Sequence, residues 1–185
     1  SRPGQHRPGR LAERLAVASL DLFRQTGKPV GVATALCRLG RFLREQGKDH
    51  LAALAFHEAL EQCATSGNRF TLVLVFSALS EIASRRGQAR EAAMLIGAIN
   101  AIALEAGATR LPTAGAPFDR ATSAAAAVLG SQQFAEAVAR GHTLSRAQTI
   151  SLARTMAIPP AGSSESIPAW LLFAVDKHDL RPQDA

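Results

Sequence analysis

The side chains of this 185-residue chain that could carry out chemistry lie in no pattern that catalysis or metal binding requires. The five histidines are scattered, and His57-Glu58 lacks the second histidine that a zinc-binding His-Glu-x-x-His helix needs. Nucleophile motifs of the Ser-x-x-Lys and Gly-x-Ser-x-Gly types do not occur, and neither does a Gly-x-x-x-x-Gly-Lys-Ser/Thr phosphate loop. We therefore expect no catalytic residue, no metal site and no cofactor.

The charged residues indicate binding instead. All but three of the 21 basic residues are arginine, and the formal net charge is +6. The excess lies in residues 1–110, which hold 15 basic and 9 acidic side chains, whereas residues 111–185 hold six of each. A guanidinium surface favours carboxylate or phosphate partners. The alternative explanation for the arginine excess is a genome that favours arginine codons. No basic run with interleaved aromatic residues occurs, so we expect no direct nucleic-acid binding.

Composition predicts an all-α fold for the elements that must position these side chains. Alanine dominates, aromatic residues make up 5% and tyrosine is absent, which favours helices over strands. Cys37 and Cys63 occur without a Cys-x-x-Cys motif or a Cys/His cluster, so we expect buried free thiols rather than a disulfide or a zinc site.

A spaced series of small and apolar residues recurs along the chain. The first copy comprises Leu39, Gly40, Leu43, Gly47, Ala52, Phe56 and Ala59, and forty residues later come Leu79, Ser80, Ala83, Gly87, Ala92, Ile96 and Ile99. Such a period is typical of stacked helical hairpins, because one hairpin cannot bury its apolar face alone.

Hydrophobic periodicity and turn residues predict about eight helices. Their approximate ranges are 10–26, 29–46, 50–65, 69–86, 89–106, 119–130, 131–141 and 145–157. In the first helix the pattern puts Leu11, Leu15, Ala18, Leu22 and Phe23 on one apolar face. The helix at 69–86 is the most apolar, so we expect it to be covered on more than one side.

The ends of the chain differ from this helical domain, which we place at 10–158. Residues 1–9 are predicted to be a flexible basic lead-in, and residues 159–166 a linker of small and polar residues. Residues 167–185 begin with an apolar cluster that includes Trp170, Leu171 and Phe173. We expect this tail to dock as a capping helix on the last hairpin. The alternatives are a partner-binding segment and a non-native end where a domain was lost.

The first copy of the series resembles the tetratricopeptide pattern. Leu39-Gly40 stands at its Leu-Gly, Ala52 at its small residue and Phe56 at its phenylalanine. This resemblance implies a right-handed α-solenoid of tetratricopeptide-like helical hairpins. In such arrays the first helix of each pair lines the concave surface. That projection places two sets of residues in one groove: Thr34, Cys37, Arg41 and Arg44, and Ser77, Glu81 and Arg85.

This groove is weighted towards arginine, so its predicted ligand is an acidic protein or peptide, or an acidic sister domain. The alternative is that the arginines are solvated and paired locally, for example Arg41 with Glu45.

Residues 88–154 resemble a second family. The segment that starts at Glu91 and ends Leu-Ile-Gly-Ala is followed by a proline loop, then Leu129-Gly130, Arg140-Gly141 and Leu144-Ser145. This order is similar to the C-terminal helical-repeat region of large bacterial ATP-dependent regulators of the LuxR type and of their cyclase-fused relatives. The resemblance implies a non-catalytic sensor or scaffold arm of a cytoplasmic transcriptional or signalling regulator, whose ATPase and DNA-binding modules lie outside this sequence.

Two functions are open at this stage, a protein-interaction scaffold and a helical sensor that encloses a small effector near residues 69–86. A continuous groove favours the first and a closed apolar cavity the second. Self-association through an open N-terminal repeat face is compatible with both. No 18-residue apolar span occurs, so we expect no membrane helix. The start at Ser1, without methionine, leads us to expect a piece cut or processed from a longer protein.

Overall fold

The computed structural model of the chain describes residues 7–107, 115–157 and 168–171, and within these ranges it is entirely helical. The helices are α1 (Arg7–Gln25), α2 (Pro29–Glu45), α3 (Asp49–Ser66), α4 (Arg69–Arg85), α5 (Ala89–Glu105), α6 (Gly115–His142) and α7 (Arg146–Thr155), followed by one 3-10 turn (Ala169–Leu171). The all-α prediction is confirmed, while the handedness of a solenoid stays a prediction. None of the described helices is long and apolar enough to cross a membrane.

The sixth and seventh predicted helices meet at a kink within α6, so the eight predicted helices correspond to seven helix ranges. Gly130 interrupts this helix with φ 72° and ψ 166°, a backbone conformation outside the helical region. The sequence signal for a break at this glycine was therefore correct, although the chain resumes its helix directly. Ser145 begins α7 with the predicted capping box, in which its hydroxyl accepts from the N–H of Gln148.

The chain forms two compact units. The first contains α1, α2, α3 and the 3-10 turn, and the second contains α4 to α7. In the first unit α2 packs against both α1 and α3, and in the second α5 packs against α4, α6 and α7. Both cores are built mainly from alanine and leucine or isoleucine side chains.

Three loops of three residues reverse the chain with the same hydrogen bonds. Each contains a glycine with positive φ, namely Gly27, Gly47 and Gly87. In the first loop the N–H of Lys28 donates to the carbonyl of Phe23, and the carbonyl of Lys28 accepts from the N–H of Val32, both at 3.0 Å. One residue therefore closes a helix and opens the next, so consecutive helices lie side by side and antiparallel. A non-glycine residue at such a φ costs roughly 1–2 kcal/mol.

Close helix approach in the first unit depends on Gly40. A Cβ at this position would lie 2.7 Å from Cε1 of Phe56, whose side chain is buried on α3. The glycine and phenylalanine of the tetratricopeptide-like series therefore pack directly against each other. The small residue lets the large ring fill the space between α2 and α3 at native packing density.

In the second unit α5 and α6 touch through their backbones. A Cβ on Gly97 would collide with the carbonyl oxygen of Val138, and a Cβ on Gly141 would collide with the carbonyl oxygen of Met94. Both glycines lie within residues 88–154. Their physical role in this chain is to let two helices cross without any side chain between them.

The leucines that the sequence pattern places on one apolar face of α1 are not its packing residues. Leu11, Leu15 and Leu22 are exposed, whereas the buried side chains of this helix include Ala16 and Leu20. Both sides of α1 are apolar, and periodicity alone does not tell which side packs. The prediction for α4 is confirmed, because all of its residues from 71 to 84 except Leu74 are buried.

Substitution of Gly97 by alanine tests the backbone contact. We expect Gly97→Ala to lower the free energy of unfolding in urea by about 1–3 kcal/mol, because a carbonyl cannot rotate away from the new methyl group. The matched control is Gly31→Ala, whose Cβ would meet the half-buried ring of Phe23 instead. This ring can turn, so the loss should be smaller. Unchanged stability of Gly97→Ala would contradict the backbone contact.

Candidate functional site

The predicted groove residues of α2 differ in accessibility. Arg41 is exposed, Arg44 and Thr34 are half-buried, and Cys37 is buried. The hydroxyl of Thr34 donates to the backbone carbonyl one turn earlier at 2.8 Å. Burial raises the pKa of the Cys37 thiol, and Cys63 adds to the rise. This thiol therefore stays protonated and apolar in character. Arg41 is the exposed member of this set.

The predicted groove residues of α4 lie mostly inside the second unit. Ser77 and Glu81 are buried, and Arg85 is exposed. The Ser77 hydroxyl donates to the backbone carbonyl one turn earlier at 2.8 Å. The two sets thus belong to two separate units, and a groove that joins them stays a prediction.

Glu81 is buried because an arginine from α6 neutralises it. Nε of Arg120 donates to Oε1 of Glu81 at 2.8 Å, and Nη2 donates to Oε2 at 3.2 Å. This two-point fork is the strongest arrangement available to a guanidinium and a carboxylate. The hydrogen bond to Glu81 raises the pKa of Arg120 above its ordinary value. The Glu81 carboxylate is therefore occupied within the unit and does not line a free surface.

The exposed side of α2 carries a pair of arginines that the sequence projection only half identified. Arg38 and Arg41 are both exposed and lie three residues apart, which puts them one turn apart on the same helix face. Thr34 and Glu45 lie on this face as well. The spacing of the two arginines indicates a shared helix face, but the tetratricopeptide projection selected Cys37 rather than Arg38. We call Arg38 and Arg41 the arginine pair of α2.

A cleft of about 570 Å³ lies beside the start of α2 in the first unit. The last turn of α1, the loop with Gly27, the first turn of α2 and one side of α3 form its walls. The lining residues are Phe23, Arg24, Gln25, Gly27, Lys28, Pro29, Val32, Glu58 and Gln62. The cleft is open to solvent and mixes apolar, polar and charged groups. It therefore matches neither a closed apolar cavity nor a purely polar groove.

Arg24 ties three parts of the first unit together at this cleft. Its Nη2 donates to Oε1 of Glu58 on α3 at 2.6 Å, and its Nη1 donates to the backbone carbonyl of Trp170 at 2.7 Å. Only 17% of the Arg24 side chain and 8% of the Glu58 side chain are exposed, so solvent screens this ion pair little. Arg24 lies in the last turn of α1, where a cation also offsets the helix dipole.

The described part of the tail packs within the first unit. Leu171 is fully buried, Trp170 is half-buried, and the N–H of Leu171 donates to the carbonyl of Pro168 at 2.8 Å. This part is one 3-10 turn in which the Trp170 carbonyl accepts a hydrogen bond from Arg24 of α1, and a capping helix on the last hairpin stays a prediction. Phe173, the third residue predicted to dock, lies outside the described residues.

The second unit offers less room for a ligand. A cavity between α4, α5 and α7, lined by residues that include Leu72, Phe76 and Ile102, has a volume of about 110 Å³. Ligand pockets usually measure roughly 300–1,000 Å³. This cavity is therefore smaller than a usual ligand pocket, whereas the cleft of the first unit falls within that range, and an effector site beside α4 stays a prediction.

Comparisons with known proteins do not indicate a function for this chain. No protein-family model matches the chain, and neither the curated proteins nor the solved structures contain a significant match. Within the described ranges no group of three or more histidine, cysteine, aspartate or glutamate residues could hold a metal ion.

Trp170 is the only tryptophan of the chain, so its fluorescence reports on tail docking alone. We expect Arg24→Ala to shift the Trp170 emission to longer wavelength and to increase quenching by acrylamide several-fold. The reason is that the substitution removes the hydrogen bond to the Trp170 carbonyl and leaves Glu58 buried without its cation.

Arg41→Ala is the matched control, because it removes an exposed arginine of the same unit. This variant should keep the emission of the wild type. Identical emission and quenching in Arg24→Ala and the wild type would show that Arg24 does not hold the tail.

Proposed function

We propose that this chain is a non-catalytic protein-interaction and regulatory module, the sensor arm of a larger bacterial transcriptional or signalling regulator that acts in the cytoplasm. Two features support the proposal. The fold is a succession of helical hairpins, an architecture that typically presents helix faces to partners. Residues 88–154 resemble the helical region of LuxR-type regulators, and the two glycines of that resemblance, Gly97 and Gly141, have a shared packing role in this chain.

The arginine pair of α2 is the observation that carries the choice of partner. Arg38 and Arg41 are exposed one turn apart, whereas Arg24 and Arg120 bind carboxylates of their own units. Two neighbouring guanidinium groups can each bind a carboxylate through two hydrogen bonds. The net charge of +6 adds a long-range attraction for acidic molecules. We therefore propose an acidic segment of a partner protein, or of a sister domain, as the ligand.

The cleft of the first unit supports a second candidate, a small effector that carries a carboxylate. Its volume of about 570 Å³ suits such a ligand. Phe23 and Val32 supply apolar contact, and Lys28 supplies a cation at the rim. The residues of this cleft do not include Arg38 or Arg41, so the two candidates are separable by mutation.

The test uses proteins captured from a lysate of the native host, followed by binding measurements with the purified partner. We expect Arg38→Glu with Arg41→Glu to weaken binding at least tenfold, because each reversal replaces an attraction with a repulsion. Helicity should be unchanged, since both side chains are exposed. Affinity for the wild type should also fall as salt rises.

Arg90→Glu with Arg140→Glu is the matched control, because both arginines are exposed on the second unit. This variant should retain most of the affinity. Arg41→Glu with Arg85→Glu tests whether the predicted groove extends to α4. Binding that survives the α2 variant but is lost in Lys28→Glu would reject the arginine pair and favour the cleft.

A further inference from the structure

The first helix has a second apolar face that none of the described residues covers. Ala16 and Leu20 are buried on the side of α1 that packs against α2. On the opposite side Leu11, Leu15 and Leu22 are 57%, 59% and 57% exposed, and the exposed Ala18 lies between them. A helix that is apolar on both sides is typical of one that is covered on both sides. We call Leu11, Leu15, Ala18 and Leu22 the seam of α1.

The spacing of the seam is that of a coiled coil. Its residues follow one another at intervals of four, three and four, which is the alternation of the a and d positions of a heptad. This period keeps the apolar side chains on one narrow line along the helix instead of a wide face. The seam therefore suits one partner helix that lies nearly parallel or antiparallel to α1.

Charge decides which partner helix fits. Arg14 and Asp21 are both exposed and both occupy the g position that flanks the seam on one side. If a second α1 lies antiparallel with Leu11 opposite Leu22, Arg14 of each copy faces Asp21 of the other. A twofold axis between Leu15 and Ala18 then generates two identical ion pairs, as a self-complementary interface requires. A parallel arrangement in register would set Arg14 opposite Ser19 of the other copy and would form no such pairs.

We propose that the seam of α1 is a dimerisation surface that binds the seam of a second copy of this chain in antiparallel orientation. The contact involves one helix from each copy, so its area falls at the low end of specific interfaces. The dimer is therefore weak and dependent on concentration. It presents two copies of α2, and with them two arginine pairs, to a partner.

Sedimentation velocity of the 185-residue chain over a wide concentration range tests the proposal. The wild type should convert from monomer to dimer as its concentration rises. Leu15→Lys should abolish this conversion because it places a charge in the seam. Leu104→Lys is the matched control, since Leu104 is 70% exposed on α5 and lies outside the seam. It should dimerise like the wild type.

Charge-reversal variants identify the occupant as a second copy in this orientation. Arg14→Asp alone and Asp21→Arg alone should each dimerise at least about tenfold more weakly, because like charges then face each other twice. A mixture of these two variants should form a heterodimer, since every facing pair is again of opposite charge. The double variant Arg14→Asp with Asp21→Arg should recover the wild-type dimer.

Three results would overturn the proposal. The first is a wild type that stays monomeric at every concentration, which would mean that the seam does not bind a second copy of the chain. The second is a dimer that Leu15→Lys and Leu104→Lys weaken equally. The third is a failure of the mixed variants to associate while the wild type dimerises, which would exclude the antiparallel pairing. Circular dichroism of each variant verifies that its helices are intact.

Discussion

The burial of a carboxylate beside an arginine from another helix is the constraint on which each unit of this protein depends. Glu58 is 7% exposed in the first unit and Glu81 is 4% exposed in the second. A buried charge without a partner destabilises a fold by several kcal/mol. The rotation of α1 must therefore bring Arg24 to Glu58, and the rotation of α6 must bring Arg120 to Glu81. Each ion pair thereby adds a constraint on the rotation of one helix to the constraints of packing.

These ion pairs divide the arginines of the chain into two groups. Arg24 binds one oxygen of the buried Glu58 carboxylate and the carbonyl of Trp170, and Arg120 binds both oxygens of the buried Glu81 carboxylate. Arg38 and Arg41 are exposed on one face of α2. These four arginines therefore have two different structural roles. One set of guanidinium groups stabilises the fold, and the other is available for the acidic partner that we propose.

Local signals in the sequence predicted the helices well. Glycine and proline positions located the turns, and the series that contains Gly40 and Phe56 identified a real contact between α2 and α3. The burial of α4 followed from its apolar composition. These features depend on a few neighbouring residues, or on one repeat, and the amino-acid pattern carries them directly.

The features that the sequence did not predict depend on contacts between distant residues. Glu81 was predicted to line a groove and the burial of Glu58 was not predicted, because their partners Arg120 and Arg24 lie 39 and 34 positions away. The two apolar faces of α1 have similar periodicity, so the pattern does not tell which one packs against α2. The contact between the tail and α1 joins residues 146 positions apart. Hydrophobic periodicity describes single elements and does not determine which face meets which partner.

A double-mutant cycle on Arg120 and Glu81 tests most directly whether the ion pairs to buried carboxylates position the helices. We predict that Arg120→Ala lowers the free energy of unfolding by about 1–3 kcal/mol in the wild type, because the buried Glu81 carboxylate loses the two hydrogen bonds from this guanidinium. In the Glu81→Gln background the same substitution should cost less than about 1 kcal/mol, since the neutral amide needs no cation. An equal cost of Arg120→Ala in both backgrounds would contradict the account, because it would mean that the arginine contributes through packing and not through its charge.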